Sequence, residues 1–115
     1  MPIQIVSASI TLDALRGIAR EQFGDFVKAV VDVEQGIMAV GGELHADEEA
    51  ILLEQGSRQA ALWGINLYPE QEAADRIDFD AMINVRPSQG NRSRSVEDPS
   101  IQQRIRDIVA TLVRG

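Results

Sequence analysis

Phe26-Val27-Lys28-Ala29-Val30-Val31-Asp32-Val33-Glu34-Gln35-Gly36-Ile37-Met38-Ala39-Val40 is the stretch that decides the fold. Val27, Ala29, Val31 and Val33 alternate with Lys28, Val30, Asp32 and Glu34, the period of a half-buried strand. Gln35-Gly36 signals a tight turn, and Ile37 to Leu44 reads as the returning strand of a hairpin. With Glu34 facing Ile37, Val33 pairs with Met38, Val31 with Val40, Ala29 with Gly42 and Val27 with Leu44, all on one buried face. The opposite face receives Lys28 across from Glu43 and Asp32 across from Ala39, with His45 near Phe26. Every large aliphatic then falls on one side except Val30 and Ile37.

Working outward, Pro2 to Val6 reads as a first strand. Thr11 caps a helix over Leu12, Leu15, Ile18, Ala19 and Phe23, which Gly24 ends. Asp47-Glu48-Glu49 starts a second helix, with acids where a helix N-terminus favours them, and Gly56 closes it. Ala60 to Tyr68 is a strand with Ala61, Trp63, Ile65 and Leu67 inward and Leu62, Gly64, Asn66 and Tyr68 on the other side. Gly64 there admits close approach of a ligand or of neighbouring backbone. Arg76 to Arg86 alternates most strictly, with Ile77, Phe79, Ala81, Ile83 and Val85 inward. Asp98 caps and Pro99 opens a last helix whose apolar stripe is Ile101, Ile105, Ile108, Val109, Leu112 and Val113. The order β-α-β-β-α-β-β-α predicts one α+β domain over residues 1–115. Its sheet is expected to be mainly antiparallel, with the helices mostly on the apolar face and a half-polar face left open.

Composition narrows the function classes. The 115-residue chain has no cysteine, which excludes disulfides, thiolate metal sites and cysteine nucleophiles. No apolar run approaches the ~20 residues of a membrane span, and the N-terminus lacks the marks of a signal peptide. A cytoplasmic location is therefore the expectation. The formal net charge of −7 argues against broad nucleic-acid binding, which depends on neutralising phosphates. The charge is nonetheless uneven: Arg86 to Arg106 holds five arginines against Glu97 and Asp98.

Three of those arginines crowd into Arg86-Pro87-Ser88-Gln89-Gly90-Asn91-Arg92-Ser93-Arg94. Guanidinium forks beside Ser, Asn and Gly donors suit carboxylate or phosphate. The loop is not a Walker motif, since it lacks the Gly-Lys-Ser/Thr ending. It precedes a helix start whose free amides attract anions, although Glu97 and Asp98 oppose one there. The expected site is Arg86, Asn91, Arg92 and Arg94, completed from the open face by Glu43, His45, Asn66 and Asp80. It would bind an anionic small molecule or a partner's carboxylates. The alternatives are a solvated loop, or self-association in which this loop of one copy docks on the acidic face of another.

Glu43 and His45, two apart on the expected strand, form a carboxylate–imidazole pair of the kind that holds Zn, Mn or Fe(II). With one histidine and no cysteine, too few ligands accompany them, so neither a tightly bound metal nor a cofactor is expected. A third function class is an enzyme with His45 as general base, oriented by Asp32 or Glu43, for which no nucleophile is identifiable.

Several blocks carry a resemblance over nearly the whole chain: Val30-Val31-Asp32-Val33-Glu34, Glu43-Leu44-His45-Ala46-Asp47-Glu48-Glu49, Leu62 to Pro69, and Ile83 to Arg94 followed by Glu97-Asp98-Pro99. The sequence resembles a family of small prokaryotic proteins catalogued only as a domain of unknown function. The resemblance implies a stand-alone soluble protein of this size. It brings no activity, substrate or catalytic residue.

Overall fold

The computed structural model describes residues 2–115. In chain order its elements are β1 (Gln4–Val6), β2 (Ile10–Thr11), α1 (Leu12–Glu21), β3 (Val27–Asp32), β4 (Ile37–Val40), α2 (His45–Glu54), β5 (Leu62–Leu67), β6 (Ile77–Asp78), α3 (Pro99–Leu112) and β7 (Val113–Arg114). Five strands form an antiparallel sheet in the order β1-β4-β3-β5-β6, while β2 and β7 make a separate parallel pair. The chain is thus α+β, with a mainly antiparallel sheet.

The central hairpin forms in a register two residues away from the expected one. Val31 faces Met38, Ala29 faces Val40, and Asp32 faces Ile37 rather than Ala39. Asp32 causes the difference. Its Oδ1 accepts the backbone N–H groups of Glu34 and Gln35, both at 2.9 Å, and its carbonyl accepts that of Gly36 at 2.9 Å. Val33 to Gly36 therefore all belong to the turn, with Gly36 at φ 72° in the region that favours glycine. A slip of two residues preserves the side-chain period, so each apolar residue keeps its expected face. Asp32 itself is buried, and Ser57 Oγ at 2.7 Å and Gln35 Nε2 at 2.9 Å donate to its other oxygen. Burial works to raise its pKa, but these donors outweigh that and hold it below the usual carboxylate value.

One sheet face carries Val27, Ala29, Val31, Met38, Val40, Trp63, Ile65 and Leu67 against Leu15 and Ile18 of α1 and Ile105, Ile108 and Val109 of α3. Thr11 caps α1 through Ala14 N at 3.0 Å, Asp98 caps α3 through Ser100 N at 2.8 Å, and Pro99 takes its first position. The opposite face is only partly open. Helix α2 and the segment after β6 cover Val30, Ala39 and Leu62, with Leu52, Ile37 and Ile83 packed among them. Val30 and Ile37, the two aliphatics that the alternation leaves on the polar side, thus find a second, smaller core.

The Arg76–Arg86 segment departs most from its expectation. Only Ile77–Asp78 is strand, and the chain then turns through short 3-10 turns at Met82–Asn84 and Pro87–Gln89. It still runs along the free edge of β5, held by side chains. Strand β6 pairs only with Asn66 and Leu67. At Gly64 the Asn84 amide takes over: its Oδ1 accepts Gly64 N at 2.8 Å and its Nδ2 donates to Gly64 O at 2.9 Å. At Leu62 the carbonyl accepts from the Arg86 guanidinium. Gly64 is needed for this approach, because a Cβ there would lie 2.5 Å from the Ala81 Cβ.

Helix α2 begins at His45, two residues before the expected acidic start, and this turns Glu48 onto the sheet. Glu48 is fully buried beside Leu52, and its Oε2 accepts Gly42 N at 3.0 Å. Gly42 must be bare, since a Cβ there would stand 2.7 Å from Glu48 Cγ. Burial pushes the Glu48 carboxyl up to about 9, partly opposed by the Gly42 hydrogen bond, so it is a neutral acid at neutral pH. A folded-state pKa raised above the unfolded value of 4.5 gives stability that is fully present below 4.5 and is lost as pH rises towards about 9. Urea unfolding of Glu48→Gln beside the native chain should show similar stability near pH 4.5. At pH 8 the variant should be the more stable by roughly 1–3 kcal/mol. A pH-independent difference would mean that Glu48 is ionised in the fold.

Candidate functional site

Arg86, the first residue of the expected anion site, is buried and committed to the fold. Its Nε donates to Ile83 O at 3.0 Å, and its Nη1 to Gln59 O at 2.8 Å and Gln89 Oε1 at 3.2 Å. Its Nη2 donates to Leu62 O, and the guanidinium stacks 4.2 Å over the Trp63 ring. Asn91 is equally occupied. Its Nδ2 donates to the carbonyls of Asn84 and Ser95, both at 2.7 Å, and its Oδ1 accepts Glu97 N at 2.9 Å. The loop closes on itself through Arg86 N to Asn91 O at 2.7 Å, with Gly90 at φ 80°. Both side chains thus hold the loop's own structure.

Two of the loop's backbone donors are filled from within. Glu97 Oε2 accepts the backbone N–H groups of Arg92 at 3.0 Å and Ser93 at 2.7 Å. The Ser93 side chain and these amides hold Glu97 below the ordinary carboxylate pKa. A carboxylate of the chain itself thus sits where an external anion was expected. Arg92 is exposed and stands outside the cleft described below.

Arg94 has a different position. Its carbonyl accepts Ala81 N at 3.1 Å and Asn84 Nδ2 at 2.9 Å, which draws residue 94 beside the end of the Asp78–Ala81 segment. Its Nε then meets Asp80 Oδ1 at 2.6 Å. Both residues line an open cleft of about 420 Å³ between the post-β6 segment, the sheet and the start of α2. Four expected site residues meet there: Arg94, Asp80, Asn66 and His45. Glu43 does not join them. The chain leaves β4 at Val40 and Leu44 precedes α2, so Glu43 is an exposed connection residue rather than His45's neighbour on a strand. The strand-borne Glu43–His45 metal pair is therefore not formed. Among the described residues no group of three or more His, Asp or Glu side chains could hold a metal ion.

Lys28, the one lysine of the chain, also lines the cleft, and the sequence reading gave it no part in the site. In the observed register it lies across from Asn66 on β5, not Glu43 on β4. Its ammonium stands 4.9 Å from the Phe23 ring centroid. Phe23 stacks on Phe26 at 4.8 Å, and Phe26 meets Tyr68 at 5.5 Å, so an aromatic row closes one side. Burial, followed by Asp78, Asp25 and Asp80, raises the Tyr68 pKa, and its phenol stays neutral.

His45 opens α2 over Gly64, and its Nε2 is 2.8 Å from Ile65 O. A carbonyl only accepts, so Nε2 carries the proton and Nδ1 keeps the lone pair in the neutral ring. Burial lowers the His45 pKa; the Ile65 carbonyl opposes this, while Lys28 and Arg94 add to it. The ring's orienting partner is thus Ile65. Asp32 is engaged in its turn and Glu43 is exposed, and neither hydrogen-bonds to His45.

Residues 4–112 match the family model described as "Protein of unknown function (DUF5674)". The chain belongs to this family. No curated protein and no solved structure matches the chain. Family membership brings no activity, so function has to be argued from the cleft. No helix among the described residues is long and apolar enough to cross a membrane.

The contrast between the arginines is testable. Arg86→Lys retains the charge but loses the planar fork that reaches several carbonyls and stacks on Trp63. It should lower unfolding stability by about 2–3 kcal/mol, whereas Arg92→Lys should leave stability unchanged within error. Equal, negligible effects in chemical denaturation would return Arg86 to the solvent.

Proposed function

We propose that the protein binds a small molecule through an oxyanion group, in the cleft between the half-polar sheet face and the segment that ends at Arg94. One observation carries the reading: Lys28 from β3 and Arg94 from the loop, side chains 66 positions apart in sequence, line the same concave surface. Lys28 makes no ion pair among the described residues, and Arg94 has one with Asp80, between two half-exposed side chains, which costs little to rearrange. The cleft volume suits a metabolite-sized ligand, and the aromatic row beside it offers a wall for an apolar body. The anion-recognition role first assigned to the whole arginine loop thus narrows to Arg94, with Lys28 added.

A second reading has its own support. Leu44 is 56 % exposed and Met82 64 % exposed, and both border this cleft. Large exposed apolar side chains of this kind are suited to a second copy of the chain, whose acidic surface would meet Lys28 and Arg94. Sedimentation that reports a monomer at high concentration speaks against that reading and leaves the first intact.

Acetate and propionate should each raise the melting temperature beyond chloride at equal ionic strength. Excluded anions stabilise many proteins without binding, so the variants decide. In the double variant Lys28→Ala, Arg94→Ala the excess should fall to that nonspecific part, and in Arg92→Ala it should persist in full. An excess undiminished in the double variant, or none in the native chain, would overturn the proposal.

A further inference from the structure

The acceptors of the same cleft say more about its ligand. Asn66 is only 8 % exposed, and its amide orientation is fixed: Nδ2 donates to Asp78 Oδ2 at 3.1 Å and to Asp80 O at 3.0 Å. Both of those partners are acceptors, so the amide cannot be turned over without setting oxygen against oxygen. Its Oδ1 is left buried with no donor. Leaving such an atom unsatisfied costs free energy, so a donor that reaches it is favoured. His45, whose Nδ1 has no partner among the described residues, also lines the cleft, and the Asp78 carboxylate adds a further acceptor.

Charge gives an independent constraint. Lys28 and Arg94 are cationic, Asp78 and Asp80 anionic, and His45 is neutral, so the two signs cancel across the cleft. A dianion would leave the filled site with excess negative charge, and a bare ammonium would leave it with excess positive charge. A ligand with one charge of each sign leaves the balance undisturbed while using both sets of groups.

We infer that the ligand is an aminocarboxylate zwitterion, its ammonium meeting the exposed Asp78 carboxylate and, once the groups over it part, Asn66 Oδ1, and its carboxylate meeting Lys28 and Arg94. This inference rests on the oxyanion reading of the cleft and adds the second pole. An ammonium supplies the N–H donor that Asn66 lacks and also meets the Asp78 charge. A neutral amide would supply only the first.

The probes are the ω-amino acids of three, four and five carbons, each beside the unsubstituted carboxylate and the alkylamine of the same length. Amide chemical shifts of the isotope-labelled protein report binding. At least one amino acid should bind about tenfold more tightly than both of its one-headed analogues, with shifts at the Asn66 side-chain amide. Asp78→Asn, a change at an exposed position, should cut that preference at least severalfold. If the carboxylates bind as well as the amino acids, the zwitterion inference fails while the oxyanion reading stands. If no carboxylate or amino acid perturbs the cleft, the oxyanion reading fails with it. A preference that is unchanged in Asp78→Asn would remove the ammonium from this end of the cleft.

Discussion

Asn84 presents to the peptide of Gly64 the donor and acceptor that a neighbouring strand would present, and does so with a side chain. Its second amide hydrogen goes to the Arg94 carbonyl at 2.9 Å, so one buried residue ties the sheet edge to the far end of the loop. Gly64 lets the loop approach, Arg86 repeats the edge-capping at Leu62, and Asn91 holds the Asn84 carbonyl in turn. Buried polar networks of this kind are stabilising only when every member is satisfied, and these members are. The cleft follows from this arrangement, because it lies between the sheet and a segment that Asn84 holds against it.

How far the sequence foretold this depends on which physical constraint is at work. The faces of the β3–β4 hairpin survived a two-residue error in register because a strand's side chains repeat every two residues. The turn is longer than Gln35-Gly36 because the Asp32 carboxylate bridges ahead to the next amides, as aspartate commonly does in turns. The caps at Thr11 and Asp98 rest on local chemistry and were read correctly. Arg76 to Arg86 has a strand's alternation but not a strand's backbone, since Asn84 and Arg86 satisfy the β5 edge from their side chains and free their own backbone to turn. Nothing within that segment announces this. The signal is a pair of distant residues, a strand glycine and an asparagine.

The site was foretold in part, for a related reason. Counting guanidinium groups measures donors, while the acceptors that consume them come from elsewhere: the carbonyls of Gln59 and Leu62 for Arg86, and the carboxylate of Glu97 for the Arg92 and Ser93 amides. His45, Asn66 and Asp80, which the alternation puts on the open face, and Arg94 from the arginine loop do share a cleft. Lys28 enters the cleft through its place across from Asn66 on β5, a pairing that alternation within each strand does not specify. Two buried carboxyls show how strongly local donors decide ionisation. Asp32, with four side-chain and backbone donors, stays charged, whereas Glu48, with one, takes up a proton.

The central claim is that Asn84 serves as the missing strand for Gly64 and so holds the cleft's outer wall in place. Native-state hydrogen exchange at the Gly64 amide, in the native chain and in Asn84→Ala, tests it most directly. In the native chain Gly64 should be protected as well as its neighbours in β5, although no strand lies on that side of it. In the variant its protection should collapse while the β3–β4 amides keep theirs, and the resonances of Arg94 should shift. Unchanged protection at Gly64 would contradict the account, because the edge would then be held by something other than Asn84.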